Sequence, residues 1–392
     1  MLRANQWFAL PLACALVGCG GGGDGKGPAP LPVPAAPAAG TLGDGRLNEI
    51  LEWARDSQHL PAIAAVVIRH GRVVEKGAVG LRSIDASVRV TTDDQWHIGS
   101  ITKSMTATLA AMLVEDGLIT WDTRPIDVWP EIAGRIHTGF RETTLRQLLS
   151  HTSGMKRDDE FSAASNNAPG TLMQKRRAWA EELLSQPPEF AAGTLSYSNM
   201  GFTVAGAMLE SRAQMPYETL LRNRLFAPLG MAHSGFGTAG TVGALDQPLG
   251  HTSRSSGYDP VQPTAANENI LAITPAGLVH VTLDDFAAYL QAHLAGERGG
   301  TGILTSDSWQ VLHTAVGPAY ALGWDVVSNL QVLNAPGFGH NGSNGRWFAQ
   351  MWFSPSADVG LLVVTNGGGE RASTALKVLD GQLRARIVAT TP

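Results

Sequence analysis

Cysteine is almost missing from this chain. Its 392 residues include two, Cys14 and Cys19, both close to the N-terminus. The body of the chain therefore forms no disulfide, offers no thiol nucleophile and builds no cysteine-ligated zinc site. A basic excess is missing too. Lys and Arg total 29 against 34 Asp and Glu, a net charge of -5, and no basic stripe stands out, so nucleic acid is not an expected partner. Beyond the N-terminus no segment has the length and polarity of a membrane span. No glycine-rich loop leads into Lys-Ser or Lys-Thr, and no Gly-x-Ser-x-Gly elbow surrounds Ser100. The histidines, among them His151, His251 and His280, lack metal-ligand spacing. No metal and no cofactor are expected.

What is present begins with an address. Arg3 precedes an apolar run from Trp7 to Val17, the pattern of an export signal. Leu16-Val17-Gly18-Cys19 looks like a bacterial lipobox, in which Cys19 is lipidated and becomes the mature first residue. An ordinary signal peptide with an incidental cysteine is the alternative. Residues 1–19 are thus expected to be a lipoprotein signal and 20–43 a Gly/Pro/Ala-rich tether too poor in large side chains to fold. That address is the bacterial cell envelope, lipid-anchored on the periplasmic or extracytoplasmic face. The remaining 44–392 is ample for a sizeable core, the whole chain being 44% hydrophobic.

Within that domain, Leu47 to Asp56 reads as a helix. Ala62–Ile68 and Arg72–Ala78 flank His70-Gly71, a hairpin signal. Short helical patterns follow at Leu145–Leu149, Trp179–Ser185, Gly201–Ser211 and Tyr217–Leu225. Thr282-Leu283-Asp284-Asp285 has the pattern of a capping box. Arg346–Phe353 and Val359–Thr365 read as strands joined by a turn, and Ala372–Arg386 as a final helix. Strands at both ends with helices between them suggest an α+β fold. One sheet would be closed from 44–120 and 266–392, with a helical part, 121–265, inserted.

Three stretches carry chemistry. Gly99-Ser100-Ile101-Thr102-Lys103 opens a pattern in which Ile101, Met105, Thr108, Leu109, Met112 and Leu113 recur at three-and-four spacing, so one apolar helix face is expected, ending at Gly117. Ser100 falls at the positive helix N-terminus and Lys103 one turn on. A hydroxyl beside an amine in that field can become a nucleophile if burial depresses the lysine pKa. A capping serine and a solvated lysine give the same tetrad. Ser153-Gly154-Met155-Lys156 repeats it in what reads as a surface loop. The second stretch, Tyr197-Ser198-Asn199, lies in a polar turn opening an apolar helix; Tyr197 could take a proton from Ser100, or could simply pack while Asn199 caps the helix. The third, Gly337 to Gly345, contains His340-Asn341-Gly342-Ser343 just before an apolar strand. Its glycines would let a ligand approach the backbone, or form a bland hairpin.

Taken in order, Ser100-x-x-Lys103, Tyr197-x-Asn199 and His340-Asn341-Gly342 resemble the serine hydrolases related to class C β-lactamases. That family includes D-Ala-D-Ala carboxypeptidases and β-lactamase-like esterases. Leu148 to Gly154, Pro188 to Glu210 and Thr274 to Leu278 support the likeness, which spans Leu47 to Val388. The resemblance implies a β-lactamase/DD-peptidase-like fold: a mainly antiparallel sheet flanked by helices, a helical subdomain, and a cleft between. It makes Ser100 the nucleophile, Lys103 and Tyr197 the base pair, and Asn199, His340, Asn341, Gly342 and Ser343 substrate-binding. The backbone N–H groups of Ser100 and Ser343 would form the oxyanion hole. Two departures matter: His340 stands where class C β-lactamases have lysine, and Asn341 where related carboxypeptidases often have threonine. Both weaken the hold on a substrate carboxylate. The expected activity is acyl transfer on a small-molecule or peptide ester, amide or β-lactam, with esterase or carboxypeptidase favoured over efficient β-lactamase. The alternative is a non-catalytic penicillin-binding-like cell-envelope protein.

Overall fold

The computed structural model describes residues 28–158, 170–300 and 302–390. The signal segment, Cys14 and Cys19 lie outside the described residues.

A six-stranded antiparallel sheet forms the centre. Its strands are β1 (Ala62–Arg69), β2 (Arg72–Gly80), β3 (Asp325–Leu330), β4 (Ala335–Ser343), β5 (Phe348–Ser354) and β6 (Val359–Thr365). They lie in the order β2-β1-β6-β5-β4-β3, so the two ends of the chain meet at the β1–β6 pair. Both faces are covered, and the period-two alternation sorts the side chains. On one face Ala62, Ala64, Val66 and Ile68 of β1 join Leu362 and Val364 of β6 in the larger core. On the other, Ile63, Ala65 and Val67 join Leu361 and Val363 under α1 (Leu47–Ser57) and the C-terminal helix α6 (Gly369–Ala389). The β1–β2 hairpin turns at His70 and Gly71, both with positive φ (51° and 68°), the backbone a two-residue hairpin with right-handed strand twist demands.

Between the two halves of the sheet come α2 (Thr102–Glu115), α3 (Leu172–Ser185), α4 (Asn199–Ala213) and α5 (Leu283–Glu297), with shorter turns. The larger core runs without a break from the sheet through these helices. A two-stranded ribbon, Gly250–Arg254 with Gly257–Val261, bridges back to the sheet's end through His251 and Gly367.

Four expectations are revised. Helix α2 is not amphipathic: Thr102 to Leu113 are all buried. Its hydroxyls are spent inside, Thr106 on the Pro275 carbonyl and the Tyr217 hydroxyl, Ser104 on Tyr289. Gly117 does end it, with φ 71° and the Leu118 N–H closing on the Leu113 carbonyl. The Thr282 cap is half a capping box: its Oγ1 accepts from the Asp285 N–H, but the Asp285 carboxylate turns to the His233 N–H and Ser234 hydroxyl. The glycine-rich run, expected just before an apolar strand, is itself mostly strand: Gly337 to Ser343 belong to β4, paired on both sides, and the chain then turns into β5. Finally, the described part of the stretch read as a spacer is fastened to the domain. Leu31 and Gln58 exchange two 2.8 Å hydrogen bonds, and the Arg386 guanidinium holds the Ala39 carbonyl and Asp44 beside Glu75.

Candidate active site

The nucleophile candidate sits on a single turn of tight helix, Gly99–Ile101, that feeds into α2. Three local features fix that turn. Gly99 has φ 53°, a conformation that costs glycine little. The Gly99 N–H donates to His97 Nδ1 (3.1 Å), and the Thr102 hydroxyl donates to the Gly99 carbonyl (2.7 Å). No side chain caps the helix, so Ser100 is not spent as a capping serine. It is 8% exposed, and Lys103, one turn further, is fully buried.

Lys103 Nζ lies 3.1 Å from Ser100 Oγ, 2.6 Å from Asn199 Oδ1 and 2.6 Å from the Ala276 carbonyl. The last acceptor comes from the short helix Thr274–Gly277, whose sequence was singled out above only as a supporting phrase. Tyr197 is in the same place: Lys103 Nζ stands 4.8 Å from its ring centre. The cap of α4 is Ser198, whose Oγ accepts from the Gly201 N–H at 2.9 Å. Asn199 is therefore the first helical residue rather than the cap, and its amide faces Lys103 instead of the helix end.

The third stretch forms the opposite wall. A β-carbon added at Gly342 would overlap the Ile98 carbonyl oxygen and stand 2.9 Å from the Ser100 amide nitrogen; one added at Gly99 would overlap the Ser343 amide nitrogen. Only glycine at both positions lets β4 lie against the nucleophile turn, which brings the Ser100 and Ser343 amides together. Ser343 Oγ donates to the Trp347 carbonyl (2.8 Å), and Asn341, half-buried, pairs with Gln350 across the sheet. His340 is buried. Its Nδ1 lies 2.5 Å from its neighbour Asn341's carbonyl, which makes Nε2 the acceptor for the Tyr320 hydroxyl at 3.1 Å. Burial, helped by the Lys103 charge, pushes the imidazole pKa down to about 3, so it is neutral at pH 7.

The decoy resolves differently from its surface reading. Ser153 is buried, its Oγ accepting from the Met155 N–H, and Lys156 reaches Gln186 at 2.6 Å. The loop matters for its neighbours. His151, at φ 60°, packs under Tyr197 with ring centres 4.3 Å apart and accepts the Ser198 N–H on Nδ1 (3.0 Å). Desolvation holds its pKa well below the usual value. Arg157 lies 5.1 Å over the Tyr197 ring, and Asp158 accepts from Asn199 Nδ2 at 2.5 Å. Sequence spacing reached neither these three residues nor Tyr320. The phrase Leu148 to Gly154 contains His151 and the Ser153 to Lys156 repeat ends beside Arg157, but neither gave these residues a role, and no motif lay beside Tyr320. Among the described residues no group of His, Cys, Asp or Glu is placed to hold a metal ion, and no helix is long and apolar enough to cross a membrane.

A serine hydroxyl and a buried lysine in hydrogen-bonding contact, with a phenol alongside, form a nucleophile–base arrangement. Residues 47–383 match the family described as Beta-lactamase, and the chain belongs to that family of serine hydrolases. It is 29% identical over 331 residues to penicillin-binding protein 4 of Amycolatopsis lactamdurans, covering 80% of this chain and 83% of that one. Protein flp of Staphylococcus aureus is 23% identical, with 86% of this chain matched and 66% of the relative. Among solved structures, the octameric penicillin-binding protein homologue from Pyrococcus abyssi aligns with a TM-score of 0.68 at 23% identity, over 87% of this chain and 78% of that one. The D-alanine carboxypeptidase AmpC from Burkholderia cenocepacia aligns at 0.66 and 22% identity, over 85% and 97%. These likenesses carry the fold: a penicillin-binding, class C-like architecture.

Proposed function

We propose that this protein is an exported serine hydrolase working through an acyl-enzyme. Ser100 Oγ attacks a substrate carbonyl carbon. Its proton passes to Tyr197, assisted by Lys103, and on to the leaving alcohol or amine as the carbonyl–heteroatom bond breaks. Water then attacks the Ser100 ester by the same path in reverse, releasing the acid. The Ser100 and Ser343 amides hold the oxyanion at each step. The observation that carries this reading is the contact of the fully buried Lys103 with Ser100 at 3.1 Å, backed by the Asn199 and Ala276 oxygens.

Substrate class follows from His340. A neutral imidazole that accepts the Tyr320 hydroxyl adds no positive charge where a β-lactam carboxylate would lie. This supports esterase or D-Ala-D-Ala carboxypeptidase activity over efficient β-lactam hydrolysis. The cell envelope, with lipid attachment at Cys19, remains the proposed location.

Intact mass after exposure to a fluorophosphonate or a labelled penicillin tests the mechanism. Wild type gains an adduct and Ser100→Ala does not. Folded wild type that gains none with either probe overturns it. Turnover of p-nitrophenyl esters, nitrocefin and a D-Ala-D-Ala peptide then ranks the substrate classes.

A further inference from the structure

The Asn199 side chain poses a problem that the three motifs leave open. A carboxamide has an accepting end and a donating end of nearly the same shape, and Lys103 can use only the accepting one. What decides which end faces the lysine lies on the amide's other side. There Asn199 Nδ2 meets Asp158 Oδ1 at 2.5 Å. An ionised carboxylate has no hydrogen to give, so it accepts only, and it turns the amide so that Oδ1 points at Lys103. The second Asp158 oxygen pairs with Arg157 Nε at 3.3 Å, and the Arg157 guanidinium lies over the Tyr197 ring. Backbone contacts hold the loop in place. The Asn199 N–H donates to the Arg157 carbonyl (2.8 Å) and the Ser198 hydroxyl to that of Lys156 (2.6 Å).

The orientation has a consequence for Ser100. An uncharged lysine amine has two N–H bonds and one lone pair. With the Asn199 and Ala276 oxygens each taking an N–H, the uncharged amine keeps its lone pair for the Ser100 hydroxyl 3.1 Å away, and so assists Tyr197 in drawing off its proton. A reversed Asn199 amide would present N–H to the amine and draw the lone pair away from the nucleophile.

We propose that Asp158 is a positioning residue that, through Asn199, aims Lys103 at Ser100. The proposal rests on the acyl-enzyme reading above. Among the described residues, the other ionisable groups around Lys103 are Tyr197, His151, His340 and, across the Tyr197 ring, Arg157. None of them lies on the amide's far side as Asp158 does.

The test uses Asp158→Asn, Asp158→Ala, Asn199→Leu and the double variant Asp158→Ala/Asn199→Leu in the full chain. Acylation is measured against pH with a p-nitrophenyl ester. Loss of a charge-assisted hydrogen bond should lower kcat/KM about tenfold in Asp158→Ala, with an unchanged melting temperature. The acidic limb should move to lower pH, because an anion favouring the lysine cation is gone. In the Asn199→Leu background the Asp158 change should add almost nothing. Additive losses, or an unmoved acidic limb, overturn the proposal. The titration of Lys103 is also followed by NMR of labelled lysine. If Ser100 forms no adduct, the acyl-enzyme reading fails alone, and an unchanged Lys103 titration in Asp158→Asn sinks the positioning role separately.

Discussion

Replacing Gly342 with alanine tests the close approach of sheet and nucleophile. Gly342 is in ordinary strand backbone, so alanine brings no conformational strain; the whole effect comes from where its methyl must go. That methyl would overlap the Ile98 carbonyl and stand 2.9 Å from the Ser100 amide nitrogen. To admit it, β4 has to draw back from the Gly99–Ile101 turn, carrying the Ser343 amide away from that of Ser100. If one oxyanion donor is thereby lost, acylation falls about 100- to 1000-fold, or about 3–4 kcal/mol of transition-state stabilisation. Overpacking should cost about 1–3 kcal/mol of stability. Gly339→Ala is the comparator. It lies on the same strand, and its methyl would stand 2.8 Å from the Met351 carbonyl, away from the nucleophile turn. It should lose stability of the same order and keep most of its acylation rate. Stopped-flow acylation by a p-nitrophenyl ester, with thermal melts on the same samples, makes the comparison. Equal acylation losses in the two variants, or a Gly342→Ala enzyme acylating at the wild-type rate, would refute the reasoning.

Acid should unfold the protein early. His97, His251 and His340 are buried, and burial pushes their pKa values to about 3, 4 and 3. The unfolded chain binds their protons first, so stability is fully present above about pH 6.5 and is lost as pH falls from there toward the folded values. By pH 5.5 each contributes a loss of about 1.4 kcal/mol, about 4 kcal/mol together, visible as a lower urea midpoint; a midpoint that does not change between pH 7.5 and 5.5 contradicts this. Ser198→Ala removes the cap of α4 and should cost about 1 kcal/mol by chemical denaturation, with acylation slowed because Asn199 shifts. Arg386→Ala leaves Glu75 without its buried partner and releases the Ala39 carbonyl, so it should lower the melting temperature and open residues 28–43 to protease; an unchanged digestion pattern would show that the segment is held by other contacts.

Most of the scaffold was legible because its strands and helices are locally consistent. The β1–β2 hairpin, α1, the β5–β6 pair and the C-terminal helix all fall where alternation and turn residues put them. Strand β3 was not legible: Asp325 to Leu330 is a half-exposed edge strand without a strong apolar alternation. Strand β4 was legible only as a glycine-rich strand edge or hairpin, without its bounds or its reason. Here glycine serves close packing against the Gly99 turn and the Phe353 and Met351 carbonyls, a tertiary demand invisible in local sequence. Helix α2 shows the same limit: one apolar face was expected, but the helix is buried all round, with Thr106 and Ser104 set against tyrosine hydroxyls and a carbonyl from distant segments. The motif residues Ser100, Lys103, Tyr197, Asn199 and His340, far apart in the sequence, lie together in the fold. Their supports, Asp158, His151, Tyr320 and the Ala276 carbonyl, follow from contacts across dozens of residues that no spacing records.

The fastened N-terminal segment sets a direction. The Ala29 carbonyl meets Arg371 in the first turns of α6, which starts beside Gly345 and just past the Thr365 end of β6. Thr365 and Ser343 both pair with Phe348, so this is also the end of the sheet where β4 touches Ser100. The described chain thus begins, at Pro28, near the Ser100 end of the sheet. A label attached at Pro28 would therefore report on the Ser100 end of the sheet and not on the opposite end, where β1 turns into β2 at His70 and Gly71.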